Sequence, residues 1–218
     1  MKTDRVIDLS HTLETGMPVY PGTPEAILAR EARISKEGYN EIFMQFSTHT
    51  GTHLDCGYHI LGEGLNTENT PVGRFMGRGV AIDCRDISGN GISHHFLQPF
   101  EEKLKKADFV LFNTGWSKYW GTRDYFRDFP TPDPDAARYL TQFGLMGAGI
   151  DAISFDPADS QDLPVHRILL SQGMVLIENL VNVDSLPELG FTFYCFPLKI
   201  KEGDGSPVRA VAAVTSNQ

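Results

Sequence analysis

The stretch Ser47-Thr48-His49-Thr50-Gly51-Thr52-His53-Leu54-Asp55-Cys56-Gly57-Tyr58-His59 holds three of the chain's seven histidines. His49, His53, Asp55 and His59 all stand at odd positions, so an extended backbone would turn them to one face. Gly51 and Gly57 leave room between them for something other than a side chain. Imidazole and carboxylate together suit a borderline divalent cation such as zinc, and manganese or iron as well. In a straight strand, His49 and His53 would lie ~13 Å apart at about 3.3 Å per residue. One ion would strain to bridge that, so the spacing predicts a bend near Gly51. His-x-x-x-His also fits one helical face, as in zinc proteases. Thr50-Gly51-Thr52 is poor helix material, and the glutamate that such proteases carry after the first histidine is absent. That reading is rejected. One histidine is ordinarily a hydrogen-bonded core or surface residue, but this clustering is what metal and catalytic sites require.

Further ligands must come from elsewhere. His166 follows Pro164 at a helix start, and by itself reads as a surface residue. Glu178 closes the apolar run Met174-Val175-Leu176-Ile177. Such a glutamate either emerges into water or faces a cation, because burying it unpaired is expensive. Cys56 neighbours Asp55 and in an extended segment points to the opposite face, as a small buried residue. His94-His95 has no nearby carboxylate and reads as a helix cap or surface turn. His11 reads as a packing or hydrogen-bonding residue. Trp116 follows a strand end and is the best aromatic candidate for contacting substrate, with core packing as the plainer alternative.

The whole-chain properties narrow the function classes. With 218 residues, one domain over 1–218 is expected, large enough for a sizeable core. The formal net charge of -9 argues against a nucleic-acid partner and against docking on anionic lipid. Lys103, Lys105 and Lys106 sit among acids, as on a solvated helix face. Three cysteines, Cys56, Cys84 and Cys195, form no disulfide or four-sulfur zinc pattern, which favours a reducing, cytoplasmic setting. Met1-Lys2-Thr3-Asp4-Arg5 lacks the apolar stretch of a signal peptide, and no segment approaches a membrane span.

Short strand patterns run over residues 6–9, 41–46, 79–83, 109–112, 174–177, 191–200 and 209–215, each bounded by turn formers. Helical patterns cover 96–106, 134–143 after the cap candidate Asp133, and 165–170 after Pro164. Many strands, few helices and a mixed order predict a mixed α/β or α+β fold. Residues 119–134, dense in aromatics, charges and prolines, read as a long excursion. It is either a lid or a loop packed by its own side chains.

His49-Thr50-Gly51-Thr52-His53-Leu54-Asp55 followed by His59 resembles the signature of the metal-dependent cyclase and arylformamidase family, which includes kynurenine formamidase and isatin hydrolase. The likeness runs along most of the chain. It takes in Asp8-Leu9-Ser10, Met17-Pro18-Val19-Tyr20-Pro21-Gly22, Thr114-Gly115-Trp116, Gly149-Ile150-Asp151, Pro164-Val165-His166-Arg167, Glu178-Asn179-Leu180 and Pro197-Leu198-Lys199. Cys56-Gly57 stands where members usually have Ala-Pro, and Thr23 where they have Asp. Neither change removes a ligand.

The resemblance implies a swivelling β/β/α fold assembled as a homodimer or homotetramer. It implies one metal on His49, His53 and Asp55, with Asp55 bridging to a second on His166 and Glu178, and zinc or manganese as the ion. It makes His59 the acid/base. The activity implied is hydrolysis of an amide bond in an aryl formamide or cyclic amide, on a small-molecule substrate. The other readings are a cyclase, dehydratase or lactone hydrolase of the same family, or a metal-binding protein without turnover. His59 counts against the last, and a cysteine hydrolase would need an activated Cys56.

Overall fold

The computed structural model describes residues 5–87 and 91–215. The start of the chain, residues 1–4, lies outside them. In chain order the strands are β1 (Arg5–Asp8), β2 (Ile27–Ala32), β3 (Glu41–Gln45), β4 (His53–Asp55), β5 (Met76–Asp83), β6 (Gly91–Ile92), β7 (Phe109–Asn113), β8 (Thr131–Pro132), β9 (Gly147–Ile150), β10 (Val175–Glu178), β11 (Phe191–Tyr194), β12 (Gly205–Pro207) and β13 (Val211–Val214). The helices are α1 (Ile34–Glu37), α2 (His94–Leu97), α3 (Glu101–Leu104), α4 (Pro134–Leu140) and α5 (Pro164–Ser171).

Nine of the described strands form one sheet in the order β1-β13-β11-β5-β7-β9-β10-β4-β12. The central four, β5, β7, β9 and β10, run parallel, and the flanks are antiparallel. Parallel strands need crossover connections, and these carry α2, α3, α4 and α5. Alternate side chains of the central strands serve two cores. Val110 and Phe112 of β7 pack with Leu97, Leu140 and Leu169 from the helices. Phe109 and Leu111 pack instead with Leu54, Phe193 and Ala212 from the flanking strands. Helices therefore cover one face and the curled flanks of the sheet cover the other, the mixed α/β, β/β/α layering expected.

Among the local readings that change, three bear on the main sheet and its helices. The single helix over 96–106 is broken: α2 gives way to a tight turn at Gln98–Phe100 before α3 begins. Pro99 lacks the amide that a continuous helix needs. The run over 191–200 is a continuous strand only to Tyr194, with a single further bridge from Pro197 to Val208. Third, β9 was not predicted, because Gly147-Ala148-Gly149 has little strand propensity. Its glycines are there for close packing. A Cβ on Gly149 would stand 2.6 Å from Leu111 and 2.7 Å from Leu180.

The excursion at 119–134 packs by its own side chains. Tyr125 is fully buried, Phe129 nearly so, and β8 pairs with β6. Two of the quoted motifs meet in a buried knot nearby. The Asp151 carboxylate accepts from the Thr114 amide (2.8 Å), the Thr114 hydroxyl (2.6 Å) and the Trp116 amide (3.1 Å). Burial pushes this carboxyl up, against the pull of Thr114. Those motifs hold a turn together.

Candidate metal centre

The bend at Gly51 is present. Its φ is +65°, and an added Cβ would meet Leu13 at 2.7 Å. The turn brings the His49 and His53 rings to 5.2 Å between centroids, where a straight strand would hold them far apart. β4 then carries His53 and Asp55 on one face while Leu54 enters the second core. A tight turn over Gly57–His59 brings His59 back to its neighbours, its ring 3.9 Å from that of His49.

The distant candidates arrive through β10 and α5. Strand register sets Glu178 directly opposite His53. The start of α5 is capped from afar: the Asp156 carboxylate accepts the amides of Val165 and His166, both at 3.0 Å, and also lies 2.6 Å from His166 Nδ1. One buried acid thus starts the helix and orients the imidazole.

All six residues converge. His53 Nε2 lies 3.3 Å from Asp55 and 3.4 Å from Glu178; His166 Nε2 lies 3.1 Å from Glu178 and 3.5 Å from Asp55. His49 Nδ1 lies 2.6 Å from Asp55. The donor atoms form two groups, His49-Asp55-His59 and His53-Asp55-Glu178, each within 4.8 Å. Asp55 is common to both. This division differs from the one the resemblance implies, with His53 beside Glu178 and His59 beside His49.

The donor chemistry fits a cation. In each of three imidazoles the nitrogen facing away from the centre is held by an acceptor: His49 Nε2 by Asp204 (2.9 Å), His53 Nδ1 by the Gly51 carbonyl (2.9 Å) and His166 Nδ1 by Asp156 (2.6 Å). Metal-binding histidines are characteristically fixed this way. Asp55 and Glu178 are almost wholly buried, and the cavity lining contains no lysine or arginine among the described residues. Burial pushes the His53 imidazole down, but Asp55 and Glu178 outweigh it and raise it to about 10. His49 rises to about 9 in the same way, against burial and through Asp55 and Asp204. Burial raises the Asp55 carboxyl, yet His49 and His53 bring it well below its ordinary range. The centre is therefore built to hold positive charge.

His59 differs. Its side chain is 29% exposed, and its nearest carboxylate, Asp204, is 3.6 Å from Nδ1. Burial lowers its imidazole, against the pull of Asp55. Cys56 faces the second core, and burial pushes its thiol up to about 12, so it is no nucleophile. His95 pairs with Gln98, while His11 stacks on Trp120 at 3.8 Å.

Trp116 is not among the side chains that line this cavity. The aromatic side chain lining the cavity is Tyr20, alongside Val19, Thr23, Ile153 and Leu163. Trp116 instead donates from Nε1 to the Tyr125 carbonyl and packs on Tyr119. The short 3₁₀ turn after Gly115 sets it against the helical core. Asp156 and Asp204 were missed by sequence reading. Each lies far from the histidine cluster in sequence, among other acids, and neither carries a spacing signal.

The family model for cyclases, described as "Putative cyclase", matches residues 7–157. Kynurenine formamidase of Salinibacter ruber is 34% identical over 209 residues, 94% of this chain and 96% of the relative. An isatin hydrolase bound to the product analogue thioisatinate superposes with a TM-score of 0.88 at 26% identity, over 97% of this chain and 92% of that one. Isatin hydrolase A from Labrenzia aggregata, bound to benzyl benzoate, gives 0.87 at 28% identity, over 97% and 94%. With that coverage behind the histidine signature and the converging donor set, the chain belongs to the cyclase family.

Proposed function

We propose that this protein is a metal-dependent hydrolase of a non-peptide carbon–nitrogen bond, in an aryl formamide or a cyclic aryl amide such as isatin. The observation that carries this reading is Asp55, shared by two donor groups, with His49, His53 and His166 around it each backed by an acceptor. Similarity to proteins named kynurenine formamidase and isatin hydrolase supports the substrate class.

Amide hydrolysis needs a nucleophile at neutral pH, a stabilised oxyanion and a proton for the leaving nitrogen. His49, His53, Asp55, His166 and Glu178 would hold one or two divalent cations, which would supply the first two by acidifying water and polarising the carbonyl. Three imidazoles with two carboxylates suit zinc or manganese. His59, partly exposed at the cavity and free of a tight carboxylate partner, takes the proton from water and returns it to the leaving nitrogen. Tyr20, Val19, Ile153 and Leu163 offer an apolar wall for the aryl ring.

We also assign a cytoplasmic setting, in keeping with three buried free thiols, and a homo-oligomer. β2 and β3 form a separate two-stranded sheet that exposes Ile42 and Met44 on one face and Phe43 on the other. A lone hairpin is marginal in water, and cover by a second copy would shield both faces. No helix among the described residues is long and apolar enough to cross a membrane.

The deciding experiment measures bound metal in the purified protein. It then follows hydrolysis of N-formylkynurenine, isatin and simple cyclic amides and esters before and after chelation. Isotope-labelled water must enter the product carboxylate. Full activity after complete stripping, or an unlabelled product, rejects the reading and turns attention to the cyclase and dehydratase chemistries.

A further inference from the structure

Asp204 sits at the entry to β12, on the outer side of the histidine cluster, and its backbone is fixed. Its carbonyl accepts the Cys56 amide at 2.8 Å, which ties it to the histidine segment itself. Gly205, paired with Asp55 in the sheet, leaves space for His49: a Cβ there would stand 2.7 Å from His49 Cε1. The Asp204 side chain divides its two oxygens. Oδ1 accepts the Thr48 hydroxyl at 2.9 Å. Oδ2 accepts from His49 Nε2 at 2.9 Å and faces His59 Nδ1 at 3.6 Å. One carboxylate oxygen thus lies behind a candidate ligand and beside the candidate proton carrier.

We propose that Asp204 is a positioning residue that orients His49 toward the metal centre and His59 toward the substrate. Toward His49, an accepted Nε2–H leaves Nδ1 as the donor facing Asp55, the arrangement a ligating imidazole needs. Toward His59, a carboxylate at Nδ1 favours the tautomer with the proton on that nitrogen, so Nε2 is the basic one. The contact at 3.6 Å is long for a hydrogen bond, and such contacts commonly tighten when substrate is bound. Thr48 holds the carboxylate at the distance that serves both rings. Asp204 touches neither substrate nor reacting atoms in this role; it acts through the two imidazoles.

The kinetic half of this proposal rests on the hydrolase reading, and the metal half does not. The test compares wild type with Asp204→Asn, Asp204→Glu and Thr48→Val, all as full chains with folding checked by thermal melting. Zinc affinity is measured by competition with a chromogenic chelator, and kcat and KM on N-formylkynurenine and isatin. Asp204→Asn should weaken zinc binding and, in the zinc-saturated protein, lower kcat, each by ~10- to 100-fold, with KM changed less than about threefold. Asp204→Glu should recover part of both, and Thr48→Val should show a smaller loss in the same direction. Unchanged zinc affinity in Asp204→Asn overturns the role toward His49. Unchanged kcat at full zinc occupancy, or a loss confined to KM, overturns the role toward His59. A wild type that binds zinc but hydrolyses neither amide rejects the hydrolase reading while leaving the zinc comparison decisive.

Discussion

The four histidines of the centre are chemically alike, and their surroundings divide the work. His53 and His166 are almost wholly buried, with one nitrogen committed to an acceptor and the other facing Asp55 and Glu178. His59 keeps a looser contact and more solvent. Replacing it should therefore spare the metal and cost the proton transfer. His59→Ala is expected to keep its full metal content and lose ~10²–10⁴ in kcat. Metal analysis beside steady-state kinetics checks both halves, and a variant that turns over normally would show that another group carries the proton. Support for His53 reaches further than its neighbours. The Gly51 carbonyl beside its Nδ1 also accepts from Asn179 Nδ2 at 2.8 Å, and the Tyr125 hydroxyl donates to Asn179 Oδ1 at 2.7 Å. A residue of the 119–134 excursion thus braces the ligand set without lining the cavity.

At the scale of elements, two devices bring distant ligands in. The first is the Asp156 cap of α5, set from eight residues before Pro164. Residue 163 is a leucine with φ +46° and no side-chain cap of its own, so the acceptor comes from Asp156. The second is the glycine strand β9, which lets β10 and β7 close on it. Gly149→Ala should destabilise the fold by about 1–3 kcal/mol through overpacking against Leu111 and Leu180. A chemical-denaturation midpoint reads this directly, and an unshifted midpoint would mean that the two leucines move aside freely. The helix over 134–143 was legible because Asp133, Pro134 and Gly144 mark its ends, and Asp133 does accept the Ala136 amide at 2.7 Å. β9 was not legible, because its reason for being glycine lies on other strands.

Two properties belong to the whole molecule. The first is assembly through the β2–β3 hairpin. Phe43→Glu should leave the melting of the subunit core intact and shift sedimentation toward a monomer. A wild type that already sediments as a monomer would dismiss the interface. The second is acid sensitivity. Burial pushes the His11 imidazole down from 6.5 to about 4, and its Nε2 has no hydrogen-bond partner among the described residues. Between these values the unfolded chain holds a proton that the folded chain lacks, so stability falls as pH drops from 6.5 toward 4. Above that window the group contributes no pH dependence. His11→Phe keeps a ring against Trp120 and removes the titration, so its unfolding midpoint should decline less across the same window. An equally steep decline in both proteins would assign the acid sensitivity elsewhere.

The amino-acid sequence by itself determined the local matters. Histidine and aspartate spacing marked the first donor group, Gly51 marked its bend, and alternating apolar runs marked most of the sheet. These follow from backbone geometry and side-chain period, which act over a few residues. The resemblance, carried by motifs along the chain, brought in His166 and Glu178. The tertiary structure alone decided which groups stand behind the donors. It set Asp156 behind His166 and Asp204 behind His49, assigned Asp151 to a structural turn, and put Tyr20 in the cavity lining. Those outcomes depend on contacts between segments up to 155 positions apart in the chain, and no local pattern encodes which distant carboxylate a histidine will meet.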